Sequence, residues 1–101
     1  MSIYHQYDTS KKTFTIKVMG DFNFGEHQSF RKTVEHITPE MDSIVIDLQN
    51  TAYMDSSALG MLLVMLDKTN KNQQTVKIIN INSEVRKLLD VANFDKLCSI
   101  T

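Results

Sequence analysis

Hydrophobic and polar positions alternate in two short stretches at the start of the chain. Ile3, His5 and Tyr7 alternate with Tyr4, Gln6 and Asp8, and Phe14, Ile16 and Val18 alternate with Thr13, Thr15 and Lys17. A period of two places one face of a strand on the core and the other in water. The polar run from Asp8 to Lys12 lies between them, so the opening predicts an antiparallel hairpin. Gly20 then ends the second strand. The period lengthens after it: Phe30, Val34 and Ile37 share one face of a helix expected over about residues 25–37. Thr38-Pro39 stops that helix, because the residue before proline avoids helical dihedrals.

The next stretch, Ser43-Ile44-Val45-Ile46-Asp47-Leu48, has a continuous β-branched centre. Such a run predicts a strand buried on both faces, as in a parallel sheet covered by helices. A second helix is expected over 56–69, a strand over 75–80, a third helix over 83–92 and a short last strand over 96–100. Val85, Leu88, Leu89 and Ala92 make the stripe of the third helix, and Ser83 is its expected N-cap. The order β-β-α-β-α-β-α-β argues for one α/β domain spanning 1–101, a mixed, mostly parallel β-sheet covered by α-helices.

The second helix is apolar on more than one side. Leu59, Leu62, Leu63 and Leu66 form the expected core stripe. Met61, Val64 and Met65 form a second face that continues to Lys68. A surface helix is ordinarily polar there. Either a neighbouring helix or a partner covers this face, and in so short a chain a partner is the expectation.

Composition narrows the function. The chain has 101 residues, 42% hydrophobic and 23% charged, with a formal net charge of -1. That is ordinary globular composition, and no basic stripe points to nucleic acid. The N-terminus lacks a basic segment followed by an apolar stretch, and the apolar run Ala58–Leu66 is too short to span a bilayer. A cytoplasmic location without membrane insertion is the expectation. The one cysteine, Cys98, sits in a short apolar run and reads as a structural thiol. His5, His27 and His36 have no metal-ligand spacing, the serines have no His/Asp relay, and the glycines at 20, 25 and 60 make no phosphate loop. No metal or cofactor is expected, and no enzymatic activity.

The informative stretch is Asn50 to Gly60, expected to join the most buried strand to the most apolar helix. Loops at the carboxyl ends of parallel strands are where α/β folds place their sites. A helix starting near Ser56 leaves its first N–H groups unpaired and carries partial positive charge there. Asp55 or Ser56 can cap it. A phosphate on a serine at this position would be tolerated and could accept from those N–H groups, adding about -1.5 to -2 charge to a docking surface. Capping alone also explains these residues, and the two roles are compatible.

The segment Tyr53-Met54-Asp55-Ser56-Ser57-Ala58-Leu59-Gly60 resembles the signature of STAS domains, found in anti-sigma-factor antagonists and sulfate-transporter tails, which reads Asp-Ser-Ser/Thr-Gly-Leu-Gly. Ile44–Leu48 is similar to the family's preceding strand, and Val18-Met19-Gly20-Asp21-Phe22-Asn23 to its Gly-Glu/Asp-Leu-Asp turn. The resemblance covers essentially the whole chain. It implies that Ser56 is a phosphoacceptor, with Ser57 the second candidate. The kinase would be a serine kinase of the histidine-kinase-like ATPase type, often an anti-sigma factor. A PP2C-type phosphatase would remove the phosphate, and the unphosphorylated form would bind the partner. Asp55 would hold the loop and Ser57 the helix start. The turn at Asp21 and Asn23 would lie beside the acceptor, so that Asp21, Asn23, Asp55, Ser57, Ala58, Met61, Val64 and Met65 are the expected partner-binding residues. Two residues depart from the pattern: Ala58 stands where the family has glycine, and Asn23 where it has an acid. The implied function is a phosphorylation-controlled binding switch in a bacterial partner-switching pathway. The alternative is a non-phosphorylated STAS adaptor subunit of a larger lipid-transport or stress-sensing assembly.

Overall fold

A computed structural model describes residues 2–101. The hairpin forms as the alternation predicts, β1 (Ile3–Asp8) pairing antiparallel with β2 (Thr13–Val18) in unbroken register from Ile3↔Val18 to Asp8↔Thr13. The later strands β4 (Ser43–Asp47), β6 (Thr75–Ile79) and β7 (Ser99–Ile100) add in parallel, giving the order β1-β2-β4-β6-β7. Two short strands escaped the periodicity. β3 (Gly20–Phe22) and β5 (Thr51–Met54) form a separate parallel pair. Gly20 therefore opens β3 rather than closing β2. Its φ of +80° falls in the left-handed region that glycine enters without steric cost.

Among the described residues there are three α-helices: α1 (His27–Glu35), α2 (Ser56–Lys71) and α3 (Ser83–Val91). One-turn 3-10 helices precede α1 at Phe24–Glu26 and follow α3 at Phe94–Lys96. The second of these takes up Lys96 and shortens the expected last strand to two residues. Asn82, not Ser83, caps α3: its side-chain oxygen accepts from the Val85 amide at 2.8 Å, while its amide nitrogen donates to the Thr51 carbonyl at 2.9 Å. The same side chain thus starts α3 and ties it to β5.

The expectation that β4 is buried on both faces fails. Ile44 and Ile46 are fully buried, but Val45 and Asp47 between them are only half-buried. One core cluster joins Phe14, Ile16, Ile44, Ile46 and Ile78 of the sheet to Phe30, Leu62, Met65, Val85 and Leu89 of the helices. The helices therefore share one sheet face. On the other face Val45 has Thr15 and Lys77 as its register partners on the neighbouring strands. The β-branched run reflects strand preference and cross-strand cover, not a second helix layer.

Candidate functional site

Asp55 builds the site. It leaves β5 in an extended conformation and caps α2, its Oδ1 accepting from the Ser57 amide at 3.0 Å and the Ala58 amide at 3.2 Å. The Ser57 hydroxyl donates to the same oxygen. That hydroxyl, with help from the amides of Ala58, Ser57 and Phe24 and against some desolvation, holds the Asp55 carboxyl below the usual carboxylate range. The Asp55 amide in turn donates to the Phe22 carbonyl at 3.3 Å. The upstream turn is thus laced to the helix start.

The two serines are in different states. Ser57 is half-buried with its hydroxyl engaged by Asp55. Ser56 is exposed, and its hydroxyl makes no hydrogen bond among the described residues. Because Asp55 already occupies the Ser57 and Ala58 amides, those amides are not free for a phosphate on Ser56, contrary to the expectation from sequence. A phosphate there projects outward. Asp21 is exposed on β3, where it pairs with Tyr53 of β5. Asn23 is half-buried and caps the 3-10 turn, accepting from the Gly25 amide at 2.9 Å. An amide performs that capping as well as an acid does, so the local turn survives the departure from the family pattern.

The expected binding face of α2 needs correction. Ala58 and Met65 are 0% exposed and Met61 is 7% exposed, so all three belong to the core. Val64, at 68%, remains on the surface. Leu63, assigned to the core from sequence, is 47% exposed instead. The core stripe of α2 is Ala58, Met61, Leu62, Met65 and Thr69, and α1 lies alongside, with Lys68 Nζ donating to the Val34 carbonyl at 2.9 Å. The outer face runs from Ser56 through exposed Gly60 to Leu63 and Val64. Tyr53 on β5 and Phe24 in the 3-10 turn after β3 are also exposed, and the Phe24 amide donates to the Asp55 carboxylate at the helix start. Sequence reasoning missed Gly60, Leu63, Phe24 and Tyr53. The signal for Tyr53 was an aromatic at the start of the signature segment, and for Phe24 an aromatic directly after the upstream turn, while the spacing of Ser56, Gly60, Asp67 and Lys71 marks the outer face of α2.

Among the described residues no group of three or more His, Cys, Asp or Glu could hold a metal ion, and no helix is long and apolar enough to cross a membrane. Cys98 is half-buried, and that burial pushes its thiol up and away from the reactive thiolate.

The architecture and the signature loop define a small α/β module with a surface serine at a helix start. The STAS domain model matches residues 4–101, and the chain belongs to that family. A STAS-domain-containing protein of Pseudomonas aeruginosa is 41% identical over 87 residues, covering 86% of each chain. The anti-sigma-B factor antagonist of Staphylococcus aureus is 23% identical over 99% of this chain and 94% of its own. The anti-sigma factor antagonist SpoIIAA, solved in its unphosphorylated form, shares the fold with a TM-score of 0.76 at 17% identity, over 98% of this chain and 86% of that one. The chain is thus a STAS domain similar to anti-sigma-factor antagonists.

Proposed function

We propose that this protein is a non-enzymatic, cytoplasmic binding switch whose state is set by phosphorylation of Ser56. The observation that carries this reading is the contrast between the two adjacent serines. Ser56 offers a free, exposed hydroxyl, whereas Asp55 holds that of Ser57. The partner is a serine kinase of the anti-sigma, histidine-kinase-like ATPase type, which docks over Ser56, Gly60, Leu63 and Val64 when the serine is bare. A phosphate adds bulk and about -1.5 to -2 charge at the edge of that surface. Asp21 and Asp55 already make the edge acidic, and no basic side chain forms an ion pair there among the described residues. The phosphate is therefore repelled rather than captured, and the partner leaves. A PP2C-type phosphatase resets the switch. The names of the antagonist relatives and the unphosphorylated state of SpoIIAA support this assignment.

The test is a pull-down of the tagged chain from its native cells, with mass spectrometry of bound proteins and of the bait. A kinase-type ATPase on the bare form and phosphate at Ser56 in the unbound form are expected. A stoichiometric complex with no phosphorylated fraction would replace the switch by the permanent-adaptor reading.

A further inference from the structure

The two edges of the five-stranded sheet differ. One edge, β7, is blunted by being two residues long. The other, β1, has six residues, no proline, no bulge and a single charge, Asp8, at its turn end. Proteins ordinarily protect such an edge with shortness, charge, proline or a covering element. The Met19 amide donates to the Ser2 carbonyl at 2.7 Å, which fixes the phase of the hairpin ladder. By alternation, Ser2, Tyr4, Gln6 and Asp8 face β2, while the N–H and C=O groups of Ile3, His5 and Tyr7 point outward. Among the described residues these outward groups have no hydrogen-bond partner outside the ladder.

This edge is covered at Ile3, which is buried, but open at exposed His5 and half-buried Tyr7. A cavity of about 480 Å³ lies between the strand, at Ile3, Tyr4 and His5, and the helix, at Ser29, Lys32 and His36. The His5 and His36 rings stack with centroids 4.5 Å apart, tying strand to helix end at that point. The helix wall carries an ammonium and an imidazole and the strand a second imidazole, with no carboxylate in the lining. Lys32 has no ion pair among the described residues. The nearest acids by sequence lie elsewhere: Glu35 faces the groove between α1 and α2, and Asp8 closes the hairpin turn.

We infer that this trough receives an extended, acidic segment of a partner protein, which adds to β1 as a sixth strand. The outward N–H and C=O groups of exposed His5 and half-buried Tyr7 would supply the ladder, Ile3 being buried in the core. Alternate side chains of the added strand would face α1, and carboxylates there would meet Lys32 and the imidazole N–H groups. The site shares no residue with the proposed Ser56 surface, so the acidic segment does not compete with the partner proposed there.

The probe is an N-acetylated, C-amidated peptide of about eight residues alternating Glu and Val, titrated into the isotope-labelled full chain and followed by amide chemical shifts. Shifts concentrated at residues 3–8 and 29–36 are expected. Lys32→Glu should weaken binding by at least about fivefold, and N-methylation of the peptide's ladder-forming amides should abolish it. A Lys/Val peptide should not bind. Equal binding of both peptides, shifts elsewhere, or survival of the N-methylated peptide would overturn the inference. Concentration-dependent shifts of β1 without peptide would overturn it too, by showing that a second copy takes the edge.

Discussion

Asp8 and Asp55 build almost the same local structure in two regions of the molecule. Asp8 Oδ1 accepts from the Ser10 amide at 3.0 Å, the Ser10 hydroxyl at 2.7 Å and the Lys11 amide at 3.2 Å. Asp55 Oδ1 accepts from the Ser57 amide, the Ser57 hydroxyl and the Ala58 amide in the same order. In each, the intervening residue, Thr9 or Ser56, is exposed, and its hydroxyl makes no hydrogen bond among the described residues. The two chain paths then diverge. After Asp8 the chain makes a polar hairpin turn through Lys11 and Lys12. After Asp55 it enters a 16-residue helix that anchors one face in the core and shows Leu63 and Val64 on the other. An accessible hydroxyl beside an aspartate cap is therefore not a site by itself. It becomes one where a rigid, partly apolar surface adjoins it.

The largest effect expected concerns the anchoring of that surface. Met65→Ala should cost about 2–5 kcal/mol of stability, since Met65 is fully buried in the core cluster. Val64→Ala should cost under about 0.5 kcal/mol, yet weaken partner binding. Chemical unfolding of the two variants measures the difference, and similar losses would mean that α2 is phased differently.

Next in size is the contrast between the two hydroxyls. Ser56→Asp should weaken the partner complex about 100-fold, roughly 2.7 kcal/mol, while Thr9→Asp leaves it unchanged. Ser56→Ala should bind as the unmodified protein does. Titration calorimetry with the partner recovered from cells reads all three, and equal affinities for Ser56→Asp and Ser56→Ala would remove the switch from this residue.

Much of this arrangement was legible in the sequence, for identifiable reasons. The hairpin and the stripes of α1 and α3 each bury one face, so their periods show. The Asp55-Ser56-Ser57 cluster and its placement after a parallel strand were equally plain. α2 was harder, because its stretch from Ala58 to Leu66 is apolar but for Gly60, and only Ser56, Gly60, Asp67 and Lys71 mark its outside. Leu63 and Met65 exchanged roles as a result. β3 and β5 were invisible because three or four residues carry no period and their pairing is long-range. Asn82 and Ser83 are both good caps, and only the reach of Asn82 to the Thr51 carbonyl decides between them.

The smallest effect separates the two aspartates by pH. Hydrogen bonds, first of all from Ser10 to Asp8 and from Ser57 to Asp55, hold both carboxyls below the usual carboxylate range. A carboxyl depressed in the folded state stabilises the protein above its unfolded pKa of about 4, and that stability is lost as pH falls through the depressed value. Asp55→Asn and Asp8→Asn should each lower stability at neutral pH and flatten the acid limb of the unfolding profile. Asp55→Asn should have the larger effect, because its loss frees the start of a helix that the core depends on, whereas Asp8 orders only an exposed turn. Thermal unfolding between about pH 7 and pH 2.5 gives both curves. If the two variants tracked each other throughout, the Asp55 cap would be no more than a second copy of the turn at Asp8, and the helix would owe its start to the packing of Ala58 alone.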